Sequence, residues 1–171
     1  MKIATVTADR RGLVDDVLAE VAGRLAGERV RLAGVVRAPA TGPLAHRCDM
    51  DLAVLSTDRA IRITQDLGAH SASCRLDAGA LEDAVAAVEA SLQGPVDLLI
   101  LNKFGQREAD GHGFRAVIGA ALARDIPVLL GLPLAQRAAF DRFAAGLAEA
   151  LPPDATSILD WCRRSLAAAP A

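Results

Sequence analysis

One stretch of this 171-residue chain gathers more residues able to do chemistry than any other: Asn102-Lys103-Phe104-Gly105-Gln106-Arg107-Glu108-Ala109-Asp110-Gly111-His112-Gly113-Phe114-Arg115. The apolar run before it, Val96–Leu101, reads as a buried strand that delivers Asn102 and Lys103 to a ligand edge. Arg outnumbers Lys 17 to 2, and the other Lys is residue 2, so Lys103 stands out from its background. Its flexible stem makes a movable point charge for phosphate or another oxyanion. Gly105, Gly111 and Gly113 allow backbone N–H groups to face an anion, and Glu108 and Asp110 are placed to hold a metal or a basic group. The plainer reading is a solvated loop whose glycines only shape the turn. His112, just before the next helix, would be held neutral by the helix N-terminus. No nucleophile at suitable spacing assigns it a general-base role.

A second candidate is the turn Asp9-Arg10-Arg11-Gly12 after the strand Ile3–Ala8. A strand ending in a loop that opens a helix is where a phosphate loop sits. Such a loop needs Gly for backbone approach, then Lys and Ser or Thr for phosphate and magnesium. Here one Gly is present, with neither Lys nor hydroxyl after it. Asp9, Asp15 and Asp16 repel phosphate, while Arg10 and Arg11 partly compensate. What remains is an ordinary turn or a weak oxyanion site at a helix N-terminus. A third candidate is the set His46, Cys48, His70 and Cys74, spelling H-x-C and H-x3-C. Two Cys and two His would suit zinc, although the spacing is that of no knuckle or ribbon. The alternative is two small buried thiols. Cys162, beside Trp161 on an apolar helix face, reads as packing.

The elements that must position these residues follow from periodicity. Gly12–Ala26 repeats apolar residues at helical spacing, and Gly27 at its end suits a positive φ. Val30–Arg37 is a second strand. Ala38–Arg47 is a loop. Asp49–Leu55 and Ile61–Gln65 alternate as an antiparallel hairpin with one wet face, and Asp66–Asp77 is irregular. Ala80–Leu92 is a helix stopped by Gly94-Pro95. Phe114–Arg124 is helical and Ile126–Leu130 is a buried strand before Gly131-Leu132-Pro133. Gln136–Leu151 reads as one helix carrying Phe140, Phe143 and Leu147, and Asp154 caps a last helix. The fold expected is a single α/β domain over 1–166, a three-layer sandwich with a mostly parallel sheet and an antiparallel hairpin excursion, with 167–171 a frayed tail. The strands at Ile3, Val96 and Ile126 should be neighbours. Ligands in such sheets collect at the carboxyl ends of the strands, which selects Thr7–Gly12, Asn102–Gly113 and Leu130–Pro133.

Composition narrows the function classes. The chain is 52% hydrophobic and 23% charged, so it is not disordered. No apolar run reaches the roughly 18–20 residues of a membrane span. The first residues carry no signal-peptide pattern, and three Cys are too few for a disulfide scaffold, so the expected address is the cytoplasm. Net charge −2 with four Phe, one Trp and no Tyr does not suit a nucleic-acid binder.

The Asn102–Arg115 segment resembles the signature of the bacterial family called domain of unknown function 2478. Gly34-Val35-Val36-Arg37, Arg47-Cys48-Asp49-Met50-Asp51-Leu52, Ile63-Thr64-Gln65-Asp66-Leu67-Gly68, Cys74-Arg75-Leu76-Asp77 and Ile126-Pro127-Val128-Leu129 agree with it, so the likeness covers nearly the whole chain. The family looks like a relative of THEP-type P-loop nucleoside triphosphatases, and its members tend to occur with molybdate-uptake and molybdenum-enzyme genes. The resemblance implies a P-loop-like fold. It adds Gln65, Arg75 and Arg115 to Asp9, Arg10, Arg11, Gly12, Asn102, Lys103, Gly105 and Glu108 as ligand residues. The phosphate-loop Lys and Ser/Thr of those relatives should fall near Gly12 and Leu13, and neither is present. The expected function is therefore binding of an oxyanion, phosphate, nucleotide or molybdate, in an accessory or regulatory role in molybdenum metabolism. The alternatives are a nucleoside-triphosphatase-like enzyme with atypical residues and a non-catalytic partner of a molybdenum enzyme or transporter. The expected partners are a small anionic ligand, with a homo-oligomer or a protein partner also open.

Overall fold

The computed structural model describes residues 2–38, 50–57, 59–64 and 76–168. Four mostly apolar runs become buried parallel strands: β1 (Ile3–Val6), β2 (Leu32–Arg37), β5 (Leu98–Leu101) and β6 (Val128–Gly131). Between β2 and β5 come β3 (Asp51–Val54) and β4 (Ala60–Arg62), and β7 (Ala148–Leu151) follows β6. The sheet order is β4-β3-β2-β5-β6-β1-β7. The pairings β2/β5, β5/β6, β6/β1 and β1/β7 are parallel, and β2/β3 and β3/β4 are antiparallel. The strands starting near Ile3, Val96 and Ile126 are thus adjacent, and the alternating hairpin extends one edge, as the patterning predicts.

Helices cover both faces. On one side lie α1 (Leu13–Gly27) and α6 (Ala155–Ala167); on the other lie α2 (Ala78–Leu92), α4 (Arg115–Ala123) and α5 (Arg137–Ala144). The alternation of side chains along β5 divides the core between the layers. Leu98 and Ile100 pack with α1 and α6, and Leu99 and Leu101 pack with α2, α4 and α5. All four are at most 1% exposed, and each contributes about 2 kcal/mol of hydrophobic stabilisation. Ala22, Ala84, Ala121 and Ala144 are all buried on these helices. The Ala excess therefore serves close helix–sheet packing as well as helix propensity. Asp154 caps α6 as expected, accepting from the Ser157 N–H at 2.9 Å.

Two expectations need correction. Gln136–Leu151 is not one helix. After a 3-10 turn at Leu134–Gln136, α5 stops at Ala144, where Ala145 (φ 50°) and Gly146 (φ 75°) turn left-handed. The chain then enters β7, which pairs with β1 from Ile3↔Ala148 to Val6↔Leu151. Ala-Glu-Ala favours helix locally, and the pairing with β1 overrides it. Leu147 is 60% exposed rather than packed on a helix face. The positive φ after α1 belongs to Arg29 (φ 61°), not to Gly27.

Candidate functional site

Four carboxyl ends meet at one edge of the sheet. The turn after β1 opens α1, with Gly12 as its N-cap in the left-handed region (φ 82°), and no side chain caps the helix. Thr7 Oγ1 donates to the Leu132 carbonyl at 2.9 Å, and the Leu132 N–H donates to the Val6 carbonyl at 2.8 Å, tying this turn to the end of β6. The Phe104 N–H donates to the Gly131 carbonyl at 2.8 Å, tying β5's extension to the same point. Gly131 is the hinge of the arrangement. A Cβ there would lie 2.3 Å from the Asn102 carbonyl oxygen and 2.9 Å from Val14 Cγ1, so only glycine lets the three segments converge.

The convergence encloses a cavity of about 370 Å³, walled by Arg10, Arg11, Gly12, Val14, Asp15, Arg37, Met50, Thr64, Asn102, Lys103 and the segment Gly131-Leu132-Pro133. Its charge is dominated by cations. Arg37 reaches Asp15 at 3.4 Å. Arg10, Arg11 and Lys103 have no ion-pair or hydrogen-bond partner among the described residues. Lys103 is exposed between Asn102 (3% exposed) and Phe104 (0%). The buried neighbours fix its backbone while the stem stays free. Both polar atoms of the Asn102 side chain are buried without a partner. In a folded protein such unpartnered polar atoms are rare.

A smaller, mostly apolar cavity of about 130 Å³ adjoins the first. Met50, Asn102 and Lys103 line both. Val35, Leu52, Ile63, Leu76, Leu81 and Phe114 form its apolar wall, and Gly105, Gln106, Arg107 and Glu108 close one side.

The remaining candidate residues take other places. Asp9 is exposed in the turn and does not line either cavity. Glu108 is 4% exposed, at the end of the short helix α3 (Gln106–Ala109). Its carboxylate accepts the Gly105 N–H at 2.8 Å and the Phe114 N–H at 3.0 Å. Both oxygens are thus used to fold the loop. Gly113 makes room for this clamp, since a Cβ there would sit 2.3 Å from Glu108 Oε1. Arg115 donates to the Glu108 carbonyl at 3.1 Å and lies 4.6 Å above the Phe143 ring, beside the Phe104–Phe140 pair. It braces the loop from behind. Asp110 accepts from the Gln106 side chain, and His112 is exposed. Gln65, Arg75, Cys48 and Cys74, with His46 and His70, lie outside the described residues. Among the described residues no group of three His, Cys, Asp or Glu is placed to hold a metal. Cys162 is buried, and burial pushes its thiol up to about 12.

Sequence reasoning passed over Arg37, Met50 and Thr64 as site residues. Arg37 had a readable signal, a lone charge at the carboxyl end of an apolar strand, which is the argument that singles out Lys103. Met50 and Thr64 enter the wall through the hairpin, where the Met50 N–H donates to Thr64 Oγ1 at 3.2 Å. Nothing local announces that.

With the geometry in place, comparison with known proteins sets the family. A family model described as "Protein of unknown function (DUF2478)" matches residues 3–161. The chain belongs to the DUF2478 family. A protein of Bradyrhizobium diazoefficiens named "Molybdenum import ATP-binding protein ModC 2" is 32% identical over 162 residues. That match covers 95% of this chain but only 18% of the relative's length. The solution structure of a human cancer-related nucleoside triphosphatase superposes with a TM-score of 0.63 at 13% identity, covering 88% of this chain and 87% of that one. This DUF2478 chain therefore has a P-loop-nucleoside-triphosphatase-like α/β fold. The donor set for a magnesium-bound triphosphate does not accompany it. Leu13 and Val14 follow Gly12 where Lys and a hydroxyl are needed, and β5 ends in the amide of Asn102 rather than a carboxylate. The side chains that the usual magnesium-assisted hydrolysis requires at these positions are therefore replaced.

Proposed function

We propose that this protein binds an oxyanion, or the phosphate of a larger ligand, in the cavity between the Arg10–Gly12 turn and Lys103, and serves an accessory or regulatory role in molybdenum metabolism. The observation that carries the reading is that Arg10, Arg11 and Lys103 stand around one cavity with no ion-pair partner among the described residues. They face it together with an α1 N-terminus that no side chain caps. Helix N–H groups and mobile cations suit any anion with several acceptor oxygens, so molybdate, tungstate, sulfate and phosphate all fit the chemistry. The molybdenum assignment is supported by the likeness to ModC 2. Isothermal calorimetry with these four anions tests the binding reading: a single site that weakens with added salt is expected. No heat and no thermal shift from any anion, nor from a mononucleotide, would overturn it.

A second reading is a non-catalytic partner of a transporter. It is favoured by one observation: nearly the whole of this chain matches a minor part of a longer protein named as an import ATP-binding protein. A chain that resembles a segment of such a protein is a candidate to contact the ATP-binding part of an importer. Co-purification with the molybdate importer's ATP-binding subunit, with and without molybdate, tests this. An enzyme with atypical residues would instead release phosphate from nucleotides with magnesium or manganese above a Lys103→Ala control.

A further inference from the structure

The larger cavity, at about 370 Å³, falls within the roughly 300–1,000 Å³ of small-molecule sites, so one tetrahedral anion fills only part of it. The space continues into the smaller chamber of about 130 Å³. Met50 and Lys103 line both, so an anion held at Lys103 has its next atoms at the mouth of the chamber. There the chemistry changes. Arg10, Arg11 and Asp15 line the larger cavity alone, while Val35, Leu52, Ile63, Leu81 and Phe114 line the chamber alone. The polar groups on the chamber's remaining side are already engaged. Glu108 accepts the Gly105 and Phe114 N–H groups, Gln106 pairs with Asp110 and Gln136, and Arg107 reaches Glu82. The polar atoms of the Asn102 side chain are buried out of a ligand's reach. At the rim stands Leu76, 43% exposed, held by an antiparallel bridge to Thr64 of the larger cavity's wall.

We propose that the ligand is an organic phosphate whose anionic head meets Lys103 and the Arg10–Gly12 turn and whose apolar or aromatic body enters the chamber walled by Val35, Leu52, Leu81 and Phe114. This rests on the oxyanion reading of the larger cavity and decides between a free anion and the phosphate of a larger ligand. Water against the Val, Leu, Ile and Phe wall finds few hydrogen-bond partners, so an apolar group replaces it favourably. A polyhydroxyl body gives up its own hydration there and finds side chains that are already bonded elsewhere. Leu76 is covered by an apolar body and gains nothing from a small anion. The cations therefore attract any anion, and the chamber discriminates among them by the body attached.

The test is calorimetry at pH 8 with phenyl phosphate, glycerol 1-phosphate and inorganic phosphate on the wild-type chain. All three heads are then close to dianionic, so the body is what differs. Phenyl phosphate is expected to bind about tenfold more tightly than either of the others. Its heat-capacity change should also be the more negative, the mark of apolar surface leaving water. Leu76→Ser should cut the preference to about threefold or less, and Leu76→Met should keep it. Parity of phenyl phosphate with inorganic phosphate, or a preference for glycerol 1-phosphate, would overturn the inference and leave the oxyanion reading standing. A phenyl preference that Leu76→Ser leaves untouched would put the body elsewhere and overturn it too. Failure of all three would overturn it as well, and the oxyanion reading falls with it if molybdate, tungstate and sulfate also fail. The wild-type comparison decides the matter even if neither variant folds.

Discussion

Arg37 at the end of β2 and Asp15 in the first turn of α1 meet in the cavity wall, with Arg37 Nη1 3.4 Å from Asp15 Oδ2. The Asp15 carboxylate lies beside the α1 N-terminus, the place an incoming anion would take, and it draws Arg37 toward itself. The pair is partly exposed, so it adds little to stability.

Asp15→Asn should therefore tighten oxyanion binding, by on the order of threefold to tenfold at low salt, as one repelling charge is removed and Arg37 is released. Calorimetric titration with phosphate measures this. The gain should shrink as salt is raised, and denaturation midpoints should barely move.

The Glu108 clamp makes a contrasting prediction. Glu108→Ala leaves the Gly105 and Phe114 N–H groups without acceptors in a buried loop. It should destabilise the fold by about 2–4 kcal/mol in urea denaturation. Glu108→Gln keeps one acceptor oxygen and should lose less. Were Glu108 a direct ligand group instead, the Gln variant would keep its stability and lose affinity.

Some of these features are legible in the sequence and others are not, for physical reasons. β5 and β6 declare themselves because a strand covered on both faces needs no polar positions. Lys103 declares itself because the chain otherwise uses Arg. β7 stays hidden because Ala-Glu-Ala carries helix propensity, and its strand state exists only through β1. Glu108 reads in sequence as a free carboxylate beside a cation. Its clamp depends on Gly113 turning the chain back by a route that spacing does not encode. Arg37 and Thr64 become site residues only once β2 and the hairpin are folded beside β5.

Acid should probe the link between β2 and β5. The hydrogen bond from the Arg31 side chain, outweighing the opposing effect of burial, holds Asp97 below its ordinary 3.8. The folded value is lower than the unfolded one, so this contribution is complete above about pH 4 and is lost as pH falls through the depressed value. Between pH 7 and pH 3, Asp97→Asn should lose less stability than wild type. Identical losses would show that the Arg31 bond does not favour the carboxylate in solution.

Cys162 offers a check on the α1–α6 layer. In a Cys48→Ser/Cys74→Ser background, the remaining thiol, pushed up to about 12 by burial, should not react with a disulfide reagent at pH 8. It should react fully in denaturant. Rapid labelling of the native chain would mean that the α6 face opens readily.

The central claim is that Lys103 and the Arg10–Gly12 turn hold one anion between them. The most direct measurement is calorimetry of wild type and Lys103→Ala with molybdate, tungstate, phosphate and nucleotides. The exposed Lys103 side chain contributes nothing to the core, so the variant should fold normally. Its best ligand is predicted to bind at least about tenfold more weakly than to wild type. If Lys103→Ala binds every ligand as wild type does, the site is not where the structure places the unpaired charges.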